Sequence, residues 1–419
     1  MLLGATAVLP VTGALVSHAM GRLDPDAGLV VLGAIHQASA SAWVGGVIAA
    51  MVVGARADAG TAAAWFRRFS AVAAASAAAL ALTGIGLCLV YIASPGAAIG
   101  TSYGAMVLAK IALFAALLAM AWLNHRAVHG PLALGGVRTA RARAEAPALD
   151  PAAVIVLRRR LEVEVGLAVV ALCLAASLGS TPPAVDAPSE QATWEEIKRV
   201  FTPGWPRLEG PTLAELQATS VLGDSAAPRT PEQTAWSEFG HHVSGLFIFA
   251  MGVLATLERT GWAPWARHWP LLIVGLTGFV AWSLDPEGWQ TGRVGFWEHL
   301  LSPEVLQHRI MLAMPALFGI AEWRVRTSRG STSRWRYVFP LVCIASGTLL
   351  MTHVHEVGDA KSAFLMELTH LPLGLVILVA GWARWLELRL PPAQGAKHGR
   401  LWGPALALFG LLLVFYREG

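Results

Sequence analysis

Gly104-Ala-Met-Val-Leu-Ala-Lys-Ile-Ala-Leu-Phe-Ala-Ala-Leu-Leu-Ala-Met-Ala-Trp-Leu123 decides the fold. A helix of about twenty residues rises ~30 Å, which is the thickness of a bilayer's hydrocarbon core, and this run carries one charge, Lys110. It is continuously apolar, without the period-two alternation of a barrel strand. Apolar runs recur to either side of it: Leu2 to Met20, Gly28 to Gly54, Ala71 to Ala93, Leu161 to Ser180, His241 to Leu257, Pro270 to Leu284, His308 to Trp323, Val338 to Met351, Leu365 to Ala383 and Leu401 to Tyr416. Across 419 residues, 55% are hydrophobic and 14% charged, and the mean hydropathy is +0.55. Soluble domains carry nearly twice that share of charge. The sequence therefore predicts an all-α, polytopic integral membrane protein of about 11 transmembrane helices in two helical bundles, and it excludes a soluble enzyme.

The charges orient it. With the amino terminus in the cytoplasm, 21 of the 31 Lys and Arg fall in inner loops and 8 in outer segments, while 18 of the 27 carboxylates fall outside. Basic loops stay cytoplasmic, so the carboxyl terminus is expected in the periplasm. The first run lacks a basic flank and a small-residue cleavage site, and it is expected to be a true span. Thr181 to Gly240 is Pro-rich and acidic, with Trp194 to Val200 fit for one short surface helix. It divides a five-helix domain (1–183) from a six-helix domain (241–419) through a periplasmic linker (184–240). No repeat relates the two halves. The cysteines, Cys88, Cys173 and Cys343, all lie in apolar runs, which excludes a disulfide framework or a zinc finger.

Imidazoles in a bilayer are costly and mark function. Of 13 histidines, nine fall at the outer side: His18, His36, His241, His242, His299, His308, His353, His355 and His370. Met20, Met106, Met311, Met314, Met351 and Met366 lie at outer helix ends too, although methionine is an ordinary filler of apolar helices. Imidazole with thioether suits copper in both oxidation states. His36 lies ~12 Å into its helix and needs a partner, for which His18 across a short hairpin is the candidate. Trp43-Val44-Gly45-Gly46 lets another helix approach closely. Lys110 snorkels or pairs with a carboxylate.

The second half is denser. His241-His242 opens one helix, His308 another, His353-Val354-His355-Glu356 follows a third, and Glu367-Leu-Thr-His370 opens a fourth. Alternating directions bring all four to the outer face, and the i, i+3 spacing puts Glu367 and His370 on one helical face. The expected metal ligands are thus His18, His36, His241, His242, His308, His353, His355, Glu367 and His370. An alternative is a b-type haem with two of the second-half histidines as axial ligands, Gly245 and Gly374 leaving room beside His241 and His370 for the porphyrin. A third reading has the histidines only hydrogen-bonded in a membrane anchor or assembly protein.

Several stretches resemble the copper resistance protein D (CopD) family of bacterial inner-membrane proteins. They are Ser17-His18-Ala19, Ile35-His36-Gln37 with Trp43-Val44-Gly45-Gly46, Leu82-Thr83-Gly84, Gly100-Thr101-Ser102-Tyr103-Gly104 to Lys110, Leu123-Asn124-His125-Arg126, and Leu157-Arg158-Arg159-Arg160-Leu161-Glu162 through Ser180-Thr181-Pro182-Pro183. The resemblance covers roughly Leu2 to Pro183; family members often have further helices before Ser-His-Ala. It implies copper handling at the inner membrane, often beside a periplasmic copper carrier, with metal binding at His18 and His36. The six-helix half looks like the extension of some longer members. The expected function is copper transport or tolerance, with the copper ion, a periplasmic carrier and the lipid bilayer as partners. Nothing resembles a nucleotide-binding loop or hydrolase motif, and no nucleic acid or enzymatic reaction is expected.

Overall fold

The structure is a computed structural model and describes residues 27–92, 94–129, 151–186, 188, 191–219, 230–283, 295–301, 303–328, 333–352 and 360–418. It divides into two compact units, residues 1–191 and 192–419. The elements described are helical in both. Among the described residues, seven helices are long and apolar enough to cross a membrane: Ala27–Gly54, Gly60–Tyr91, Ser102–Ala127, Val154–Asp186, Pro231–Thr260, Arg334–Thr352 and Lys361–Arg389. Side chains at positions that a soluble protein would bury face outward instead, with Leu82 71% and Leu89 74% exposed, as a lipid-facing surface requires. The chain is a multi-pass helical membrane protein.

The described helices of the first unit are α1 (Ala27–Arg56), α2 (Ala59–Tyr91), the short α3 (Pro95–Gly100), α4 (Ser102–His129) and α5 (Pro151–Ser180). α2 begins twelve residues before its apolar run, because Asp58 caps it by accepting a hydrogen bond from Thr61 N at 2.9 Å. α1 packs on α2 and α5, and α4 on α5. Their shared core is built from Trp43, Val47 and Ala50 of α1, Phe66 of α2, Leu117 of α4 and Leu157 and Leu161 of α5. The close approach expected at Gly45-Gly46 is made at Gly46, where a Cβ would collide with the Phe69 ring of α2.

In the second unit, α6 (Trp194–Phe201) and α7 (Leu213–Thr219) precede α8 (Pro231–Thr260), α9 (Leu271–Ser283), α10 (Phe296–Leu301), α11 (Pro303–Thr327), α12 (Val338–Thr352), α13 (Ala360–Arg389) and α14 (Pro392–Val414). A capping box of Thr193 and Glu196 starts α6, which turns Ile197 and Val200 inward and rests on α13. Three expected spans, α9, α11 and α14, are helices outside the seven. α9 has 13 residues, a rise of only ~20 Å; α11 carries Glu322 and Arg326, and α14 opens on polar turns. The expected first span, Leu2 to Met20, lies outside the described residues. α14 lies along α8 and α13, and α12 along α13. The α8–α14 seam is backbone on backbone, since a Cβ at Gly252 would collide with Ala407 and one at Gly410 with Phe249.

Candidate metal sites

In the first unit, His36 of α1 faces α2. Its Nδ1 lies 2.9 Å from Thr83 Oγ1, and the Thr83 hydroxyl donates to Ala79 O at 2.6 Å. With its own proton committed, Thr83 accepts from His36, so the imidazole carries its proton on Nδ1 and its lone pair on Nε2. Gly84 lies beside the ring, where a Cβ would make ordinary van der Waals contact 3.5 Å from His36 Cε1. The partner that His36 needs is therefore found in Thr83, within the Leu82-Thr83-Gly84 stretch. His18 lies outside the described residues.

In the second unit, two imidazoles meet. His241, in the third turn of α8, and His370 of α13 have ring centroids 5.9 Å apart at 77°. The Tyr416 ring stacks on His241 at 4.2 Å and meets His370 edge-on at 5.7 Å. Each Nδ1 donates to a carbonyl one turn back in its own helix, His241 to Ser237 O at 2.8 Å and His370 to Met366 O at 2.6 Å. Both rings thus have the lone pair on Nε2, which is the tautomer of a metal-binding imidazole oriented by a backbone carbonyl. α13 begins at Ala360, five residues before its apolar run, so His370 sits ~15 Å along it. His370 is buried, as is Glu367 one turn before it.

His242 has the opposite arrangement. Arg207 N–H donates to its Nδ1 at 2.7 Å, and its Nε2–H donates to Tyr416 O at 2.7 Å, in a setting 3% exposed. Both nitrogens are bonded to backbone, so a metal would have to displace one of these bonds. His308 lies in α11 at a position whose side chain is not among those described; His353 and His355 lie outside the described residues. Among the described residues, no three of His, Cys, Asp or Glu stand close enough to hold one ion.

The room for a porphyrin expected at Gly245 and Gly374 is not there. A Cβ on Gly245 would lie 2.5 Å from Val414 N, and one on Gly374 would lie 2.8 Å from Gly347 O and 2.5 Å from Met351 Cγ. These glycines serve helix packing, α8 on α14 and α13 on α12. The methionines behave as packing residues where they are described: Met351 and Met366 are buried, and Met106 joins a cluster with Tyr91 and Tyr103.

Two features escaped the sequence reading. At the far ends of α8 and α13, Glu322 accepts from Arg326 Nε at 2.8 Å and faces Arg384 Nη2 at 3.8 Å, Arg326 pairs with Glu258, and Glu387 binds Arg259, Arg384 and Trp402 Nε1. The Arg326 guanidinium lies 4.9 Å from the Trp269 ring centre and 5.2 Å from that of Trp402. Three Arg and three Glu thereby neutralise one another inside the unit, the condition for burying charge. The second feature is Glu164 of α5, 3% exposed, which accepts from Asn124 Nδ2 of α4 at 2.8 Å.

The described residues thus form a multi-pass helical membrane protein with oriented imidazoles in each of its units. Residues 63–178, which run from α2 to α5, match the family model of copper resistance protein D. The matched stretch includes Thr83, Lys110, Asn124 and Glu164, and begins after His36. No curated protein and no solved structure matched the chain.

Proposed function

We propose that the protein takes copper from the periplasm and carries it at or across the inner membrane, with copper as its cargo. The observation that carries this reading is the His241–His370 pair, whose two Nδ1 atoms are tied to their own helices and whose lone pairs lie on Nε2. Two nitrogens on one ion at metal–nitrogen distances of about 2 Å stand within ~4 Å of each other, and rings 5.9 Å apart are near enough to reach that spacing by rotamer adjustment. Glu367 adds a carboxylate one turn away, and His308, His353 and His355 follow as further ligands in this reading. His36, oriented by Thr83, serves the first unit, with His18 as its companion. The match of residues 63–178 to the copper resistance protein D model supports copper over other metals, and in this reading the histidine-rich ends face the periplasm, where a copper carrier would deliver. The domain division at 184–240 belongs to the same reading.

The test is copper affinity of the purified full chain, measured by competition with a chromogenic Cu(I) chelator. A His241→Ala, His370→Ala double variant should bind at least one copper fewer, or about tenfold more weakly, the effect of losing ~1.4 kcal/mol or more. Wild-type stoichiometry and affinity in that variant would overturn the reading. A Soret band in the same sample would return the second half to haem chemistry.

A further inference from the structure

The copper reading gives no role to a buried carboxyl of the first unit. Glu164 of α5 lies 3% exposed, between Asn124 of α4 (8%) and Trp43 of α1 (4%). Asn124 Nδ2 donates to its Oε2, and the Trp43 indole donates to the same carboxyl. Several charged and titratable groups on the surrounding helices are engaged elsewhere. Arg159 pairs with Glu162, Arg158 reaches Ala57 O, Arg160 reaches Leu123 O, Arg126 lies over the Trp122 ring, and His36 is bound to Thr83. Lys110 is fourteen residues from Asn124 along α4, a rise of ~21 Å, and Arg67 and Arg68 follow Phe66 on α2. His125 follows Asn124 on α4. Among the described residues no cation pairs with Glu164.

The pocket offers partners to both forms of the group. A carboxylate takes the N–H donors of Asn124 and Trp43. A carboxylic acid needs an acceptor for its O–H, and Asn124 Oδ1 is a buried oxygen with no hydrogen-bond partner among the described residues. Turning the amide over exchanges donor for acceptor at no change of shape. A buried carboxyl without a cation, held by groups that can satisfy it charged or neutral, is built for proton exchange rather than for an ion pair.

We propose that Glu164, gripped by Asn124 and Trp43, is the proton-binding site of the first unit, and that it exchanges its proton as copper passes. The coupling to copper rests on the function proposed above. On release the acid O–H bond breaks, the proton goes to water, and the electron pair remains on the carboxylate facing the two N–H donors. On return the new O–H points to Asn124 Oδ1.

The full chain in proteoliposomes gives two readouts. Infrared difference spectra taken across a pH titration should contain a carboxylic-acid C=O band that shifts in heavy water, disappears in Glu164→Gln and moves in frequency in Asn124→Ala. Copper entry into wild-type vesicles should depend on an imposed pH gradient, and Glu164→Gln should bind copper as before while losing that dependence. A wild type with no titrating acid band, or a Glu164→Gln variant with the wild-type gradient dependence, would overturn the proposal. The wild-type and Asn124→Ala bands carry the test should Glu164→Gln not fold. A wild type that shows the band and moves no copper overturns the copper reading and leaves the proton site standing.

Discussion

Two histidines adjacent in sequence, His241 and His242, are assigned different work by their hydrogen bonds. The first gives its Nδ1 proton to Ser237 O and keeps a lone pair on Nε2; the second accepts at Nδ1 and donates at Nε2, joining Arg207 to Tyr416. Deleting the second leaves a backbone N–H and a carbonyl without partners in a buried setting, at about 1–3 kcal/mol for each group not rescued by water. His242→Ala should therefore lower the thermal unfolding temperature of the detergent-solubilised chain by several degrees, while His241→Ala melts near wild type. Scanning fluorimetry of the two variants checks this, and equal melting temperatures would contradict the assignment. The sequence displayed all of these imidazoles but not their tautomers. Those depend on which carbonyl or N–H lies opposite, as Thr83 does for His36 across 47 residues.

At the scale of helices, apolar runs located the segments and said little about their ends. α2 and α8 begin well before their runs, because Asp58 and the Thr230–Gln233 capping box start a helix inside polar sequence. The short helix expected at Trp194–Val200 is present as α6, and what the sequence could not reveal is its dock. Lys361 Nζ at the start of α13 donates to Glu196 Oε1 at 2.8 Å. That bond, with those from Thr193, holds the Glu196 carboxyl down at about 2, against an ordinary value of 4.5. A carboxyl depressed in the folded state stabilises the fold above its unfolded value and loses that contribution as pH falls. The dock should hold at pH 5 and above and loosen between pH 4.5 and about 2, faster hydrogen exchange in α6 being the sign. Both partners are partly exposed, so the global stability change is small, within the roughly 0–1 kcal/mol of surface pairs. Glu196→Gln should show the loosened exchange already at neutral pH; protection equal to wild type would show that the pair does not hold α6.

Over the whole molecule, the split of Lys and Arg predicts that Gly204 and Ser328 lie on opposite sides of the membrane. Single cysteines at these positions, labelled in intact cells with a membrane-impermeant thiol reagent, should react at Gly204→Cys and not at Ser328→Cys; the reverse pattern would invert the orientation and remove the periplasmic reading of the histidines. The same count treated Arg259, Arg326 and Arg384 as loop charges, whereas each lies in a helix and is bound to a carboxylate. Charge tallies along a chain register the sign of a segment but not whether its members find one another in space, so the buried network stayed invisible until the helices were packed.

That network and the His241–His370 pair occupy opposite ends of the same two helices, α8 and α13, seventeen residues and ~26 Å apart. Between them α8 meets α14 along Gly252 and Gly410 with no side chain interposed. Side chains absorb small displacements by changing rotamer, and at these two glycines there is none to change. At these points α8 and α14 are locked at close range. In the copper function proposed above, an ion seated between His241 and His370 binds at one end of a helix pair whose other end is fixed by the ring of arginines and glutamates.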